Sequence, residues 1–217
     1  MERTIDNQLV EVKQTISDMG QKALLSLEMV IDGLRGSNPQ LLQNIKQIEK
    51  QINDLHIKVD NDCMMVLAKQ GPVARDLRMI LAIIKMNTDL ERIGDQCVNI
   101  SYLVRDMNQR GFKYDPTEIV KMSMKTSQMV SQALDSFREM NLEKAQSVLA
   151  MDDEVDSYRT SILKYNIEQI KKDAIGAETY LDIIFIAKNL ERLGDHATNV
   201  VEDVIFALSG KDIRHGS

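Results

Sequence analysis

The stretch Leu90-Glu91-Arg92-Ile93-Gly94-Asp95 returns one hundred residues later as Leu190-Glu191-Arg192-Leu193-Gly194-Asp195. The repeat extends beyond these six positions: between Leu81 and Ile100, nine of twenty residues are identical in the other copy, including Leu81/Leu181, Ile83/Ile183, Ile84/Ile184 and Asn99/Asn199. Upstream, Glu49, Ile52, Asn53 and Val59 fall on Asp152, Val155, Asp156 and Ile162 at a shift of 103, and Ala23, Leu24 and Ser26 fall on Ala133, Leu134 and Ser136 at a shift of 110. The chain is therefore one unit duplicated. The first copy carries about seven extra residues around Gly33, Gly36, Asn38 and Pro39.

The unit is helical. Ile83, Met86, Leu90, Ile93, Cys97, Ile100 and Val104 recur at alternating spacings of three and four, as do Ile183, Ile186, Leu190, Leu193, Ala197, Val200 and Val204. That period places each set on one helix face and predicts a coiled-coil-like seam. Pro39, Pro72 and Pro116 stand where helices should begin, and Asp115 followed by Glu118 comes close to a capping box. Helices are expected over 3–34, 39–69, 73–109, 116–140, 142–172 and 177–208. The fold class is all-α, with two tandem three-helix bundles related by a pseudo-twofold duplication, divided as 1–111 and 112–217.

Composition agrees. Of 217 residues 43% are hydrophobic but only 4% aromatic, with no Trp, so the core must be built from Leu, Ile, Val and Met, which suits helices. The thirteen methionines mostly sit in or beside the apolar stripes and are read as core filling. A net charge of −6 supplies no basic face for phosphate backbones and argues against nucleic acid. Cys63 and Cys97 show no metal or redox spacing and are read as reduced core thiols, consistent with a cytosolic compartment. No apolar run is long enough to cross a bilayer, so membrane association would be indirect.

The acidic residues are the candidate site. Glu91 and Asp95 are four apart, as are Glu191 and Asp195, so each pair stands side by side on a helix face rotated away from the apolar seam. Asp152 and Asp156 each follow a core residue, and four carboxylates would converge if their helix neighbours the last one. The first copy offers Glu49 and Asn53, one carboxylate fewer, so its site should bind a cation less strongly or with a different stoichiometry. Oxygen-rich clusters suit Mg²⁺, Mn²⁺, iron or Zn²⁺. One such pair alone reads as solvated surface, but both copies keep Glu, Arg, Gly, Asp and Asn while diverging at most neighbouring positions, which favours a shared site. Gly94 and Gly194, costly in mid-helix, suggest close approach of another group.

Enzyme signatures are scarce. The residues three before His56, His196 and His215 are Asn53, Leu193 and Asp212, so no Glu-x-x-His di-iron motif is present. There is no phosphate-binding loop, dinucleotide turn or nucleophile elbow. His196, opposite Gln96 in the first copy, reads as a surface histidine more than as an accessory ligand.

The duplicated L-E-R-[IL]-G-D-x-x-x-N-[IV], preceded in the first copy by Gly71-Pro72 and Asp76-Leu77-Arg78, resembles the PhoU family of bacterial phosphate-uptake regulators; Asp152-Asp153-Glu154-Val155-Asp156 and the segment from Glu49 to Asn53 resemble its second-helix pattern. The resemblance covers nearly the whole chain. It implies multinuclear iron or zinc clusters held on the surface by E(D)-x-x-x-D motifs, here Glu91 with Asp95, Glu191 with Asp195, and Asp152 with Asp156, and Glu49 in part because Asn53 replaces the second acid. It implies a non-enzymatic cytoplasmic homodimer at the inner face of the membrane. There it would meet the ATPase subunit of a phosphate ABC transporter and the sensor histidine kinase of the phosphate two-component system, restraining uptake and the phosphate regulon. The alternatives are a metal-carboxylate-dependent hydrolase acting on phosphate compounds, and a helical scaffold whose acids are merely solvated.

Overall fold

The computed structural model describes residues 4–36 and 41–213, and within them the chain is helical with no strand. The helices are α1 (Thr4–Leu34), α2 (Leu41–Gln70), α3 (Ala74–Arg110), α4 (Thr117–Glu139), α5 (Leu142–Leu149), α6 (Asp152–Lys172) and α7 (Ala177–Ser209). The expectations at Arg3, Asn38, Pro39 and His215 lie outside the described residues. Helices α1, α2 and α3 pack together as one bundle, and α4, α7 and the α5–α6 pair as the other. Every residue of the two apolar seams is buried. At about 1.5–3 kcal/mol for each large side chain, burial of those seams stabilises both bundles. Met19, Met79, Met86, Met107, Met122, Met129 and Met151 are buried among them, while Met64, Met65 and Met124 are exposed.

The two bundles are joined through equivalent helices. α3 packs along α7 and α1 against α4. Lys85 lies 3.4 Å from Asp203, Asp89 accepts from Asn199 at 3.0 Å, and Arg110 lies 3.8 Å from Glu178, so numbers rise on α3 as they fall on α7. Two copies of one helix packed antiparallel on each other require a twofold axis between them, and that is the pseudo-twofold of the duplication. At the other crossing, α1 approaches α4 so closely that a Cβ on Gly20 would lie 2.3 Å from Leu134 Cδ2.

The fifth expected helix is interrupted. Met140 takes a left-handed conformation that ends α4, and Asn141 Oδ1 then caps α5 by accepting from the Lys144 N–H at 3.0 Å. After Leu149 the chain tightens, with Met151 N–H donating to Val148 O, and α6 starts afresh at Asp152. Asp152, Asp153 and Glu154 make up the first turn of α6, the end of a helix at which acidic side chains are favoured. The capping box at α4 is also replaced: Asp115 Oδ1 accepts from Thr117 N–H at 2.9 Å and Thr117 Oγ1 at 2.6 Å, and Glu118 pairs with Lys121. Proline at position 116 leaves Thr117 as the first available donor, so the acid closes a short Asx turn.

Cys63 and Cys97 are free and buried. Burial first, then Asp60 and Asp62, push the Cys63 thiol up to about 12, and burial raises Cys97 as well. Thiols held protonated in this way are structural, not reactive.

Candidate metal centre

In the first bundle the acids are already partnered. Arg92 folds back between its two neighbours, donating from Nη1 to Asp95 Oδ2 at 3.1 Å with its Nε 3.4 Å from Glu91 Oε2. Asn53 Nδ2 donates to Glu49 Oε1 one turn away on α2. The like-charge conflict expected at Glu91 and Asp95 is thus relieved from inside the chain by the Arg of the same motif.

The second bundle is arranged differently. α6 and α7 are packed neighbours, and Asp152, Asp156, Glu191 and Asp195 come to one face. The Asp152 carboxyl is pushed above its ordinary range by burial first, then by Asp156, Asp195, Asp153 and Glu191. Asp195 is raised by burial and by Asp156, a rise only partly opposed by His196 and Arg192. Of the four acids, Glu191 has a counter-ion in Arg159, whose Nε lies 3.6 Å from Oε2.

The glycines explain how close the helices come. A Cβ on Gly194 would sit 3.7 Å from Asp152 Oδ1 and 3.6 Å from Val155 Cγ1, at ordinary contact distance, so the acid of α6 stands about one methyl group away from the backbone of α7. At Gly94 the same atom would lie 2.9 Å from Ile52 Cδ1. The close approach expected at both glycines therefore holds in the first copy as a tight apolar contact. In the second there is room for a methyl group.

This donor set has the chemistry of a cation site. Four carboxylates on one face, with Asp152 and Asp195 raised by burial and by Asp156, offer charge and oxygen ligands suited to a hard or borderline ion. They form an open face and not a closed shell: among the described residues no three His, Cys, Asp or Glu side chains stand together in ligand geometry. Holding an ion therefore requires side-chain rotation. In the first bundle it requires displacing Arg92 as well.

The sequence profile of the PhoU domain matches residues 16–104 and again 119–204. The chain belongs to the PhoU family. It is 30% identical over 213 residues to a phosphate-specific transport system accessory protein PhoU homolog from Burkholderia sp., covering 97% of this chain and 91% of the relative. It is 31% identical to the homolog from Pseudomonas aeruginosa, covering 96% and 86%. The crystal structure of PhoU from Pseudomonas aeruginosa superposes with a TM-score of 0.93 at 29% identity, over 96% of this chain and all of the other. The phosphate transport system regulatory protein PhoU from Streptococcus pneumoniae shares the fold, with a TM-score of 0.88 at 23% identity over 97% and 99%.

Three features of this PhoU-family chain escaped its sequence. The Arg92 clamp and the Arg159–Glu191 pair depend on side-chain direction. His196 is not a free surface histidine: its Nδ1 donates to Asp89 Oδ1 at 2.8 Å across the bundle interface. A signal for that contact existed, since Asp89 and His196 occupy repeat positions where the other copy has Asn189 and Gln96.

Proposed function

We propose that this chain is a non-enzymatic accessory protein of phosphate transport that restrains uptake and the phosphate regulon. It would act as a metal-binding adaptor between the ATPase subunit of a phosphate ABC transporter and the sensor histidine kinase of the phosphate two-component system. The regulatory part is supported by the PhoU-family relatives, named as phosphate-specific transport accessory proteins along almost their entire length. The observation that supports the metal part is the convergence of Asp156, Asp195 and Glu191 on the part-buried Asp152 carboxyl across the packed faces of α6 and α7. Those four residues would hold the ion, with Glu91, Asp95 and Glu49 forming a weaker counterpart. Bound iron or zinc would supply positive charge that offsets the clustered carboxylates and a point of attraction for anions such as phosphate. No helix among the described residues is long and apolar enough to cross a membrane, so attachment to the transporter would run through protein contacts.

Metal analysis of the purified protein and of Glu191→Ala/Asp195→Ala tests the site. The expected result is loss of bound metal from the variant with helicity retained; unchanged metal content would sink the assignment. Co-purification with the transporter ATPase subunit tests the adaptor role. Turnover of phosphate esters by the metal-loaded protein, abolished by the same substitutions, would instead favour a metal-carboxylate hydrolase.

A further inference from the structure

Lys13 of α1 and Arg75 of α3 line one cavity of about 350 Å³. Volumes of this order hold small ligands. Leu9, Met79 and Met140 give it an apolar wall, and Asp6 and Asp76 also reach it. Met140 is the residue that ends α4, so the cavity lies where the beginnings of α1 and α3 in one bundle meet the last turn of α4 in the other.

The two cations have no counter-ion. Among the described residues, neither Lys13 nor Arg75 forms an ion pair or a side-chain hydrogen bond. Lys13 is part-buried. Burial first, and then the like charge of Arg75, hold its ammonium below the ordinary value, while the opposing pull of Asp76 is the smallest of the three. The acids on the wall therefore do not neutralise the pair at Lys13. Like charges brought together in a partly desolvated site are destabilising, and a bound anion would relieve them.

The backbone adds to this field. Arg75 and Asp76 belong to the first turn of α3, where the cap residue Val73 supplies no side-chain acceptor. That end of a helix carries partial positive charge and favours anions.

The pair belongs to one copy of the repeat. At the shifts of 110 and 100, the positions matching Lys13 and Arg75 are Ser123 and Ile175. The helical unit thus folds without either cation, and the first bundle carries them in addition to its core.

We propose that Lys13 and Arg75 bind the phosphate group of a small anion, free phosphate or a phosphate monoester, in this cavity and without metal. A phosphate brings about two negative charges and several acceptor oxygens, enough for an ammonium and a guanidinium that approach from different helices. A carboxylate brings fewer of both. The site is distinct from the carboxylate faces: Arg75 stands sixteen positions of α3, about 24 Å of helix, before Glu91, and fourteen positions, about 21 Å, before Asp89, which touches His196 beside Asp195.

Calorimetric titration of the chelator-treated full chain with inorganic phosphate, glycerol 3-phosphate and acetate, at matched ionic strength, tests this. One or both phosphate probes should bind saturably at one site, with acetate at least about tenfold weaker, and the tighter of the two phosphates names the source. Lys13→Met and Arg75→Leu should each weaken phosphate binding about tenfold while keeping their helical circular dichroism. Glu191→Ala/Asp195→Ala should bind the probe as the parent does, which separates this site from the metal reading. The proposal is overturned by absence of saturable binding of both phosphates at millimolar concentration, by equal binding of acetate, or by loss of binding in Glu191→Ala/Asp195→Ala. Unchanged affinity in Lys13→Met also overturns it. Should that variant fail to fold, unchanged affinity in Arg75→Leu, whose parent side chain is exposed and outside the core, is decisive against it.

Discussion

His196 of α7 donates from Nδ1 to Asp89 of α3 at 2.8 Å, and Asn199 Nδ2 donates to the same carboxylate oxygen at 3.0 Å. The pseudo-twofold equivalent of this contact does not form. Asn189 turns back to the Phe185 carbonyl at 2.7 Å, and Gln96 Oε1 is buried without a partner. The Asp89 and His196 side chains are only 14% and 21% exposed, so this is a largely desolvated pair. His196→Ala should therefore cost about 1–3 kcal/mol by leaving Asp89 short of a donor. Gln96→Leu, which removes an orphaned acceptor, should be neutral or stabilising. Urea denaturation of the two variants checks the contrast, and equal losses would contradict it.

The raised Asp152 carboxyl makes stability depend on pH in a definite direction. Its affinity for a proton is higher in the folded chain than at the ordinary value of 3.8. The folded state then binds more protons than the unfolded one, and stability present below that value is lost as pH rises through the raised pKa. Asp152→Asn, in chelator-treated protein, should be more stable than the parent at pH 7, with the gap closing towards pH 4. Denaturation midpoints at the two pH values measure it.

The two motif glycines should respond unequally to alanine. Gly194→Ala meets only ordinary contacts and recovers helix propensity, so a gain of about 0.5–1 kcal/mol is expected. Gly94→Ala must displace the end of Ile52 and should gain less or lose stability. Thermal unfolding of the pair distinguishes the outcomes.

Arg92 occupies the charge of Glu91 and Asp95. If the acids of the first bundle are a weaker cation site, Arg92→Ala should raise its affinity for Zn²⁺ or iron, while the second bundle is unchanged. Equilibrium dialysis in a Glu191→Ala/Asp195→Ala background isolates the first site. Arg92 is exposed, and exposed ion pairs contribute about 0–1 kcal/mol, so little stability should be lost.

Much of the fold was legible in one dimension because apolar periodicity is a local property. The seams from Ile83 to Val104 and from Ile183 to Val204 are buried as their spacing implies, and the duplication could be counted directly. The interruption at Ala150 and Met151 was not legible: Leu, Glu, Lys, Ala and Gln before it favour helix, and no Gly or Pro marks a stop. The carboxylates were visible as pairs. Their inequality was only half visible, through Asn53 in place of Asp156.

What the order of residues settled, then, is the helical unit, its duplication, and which acids share a helix face, since each follows from the 3.6-residue period. Tertiary structure decided which of those acids repel one another. Arg92 and Arg192 occupy equivalent positions, yet Arg92 folds onto Glu91 and Asp95, while Glu191 takes Arg159 from α6. Side-chain direction and the partner helix, neither encoded in spacing, set the local field.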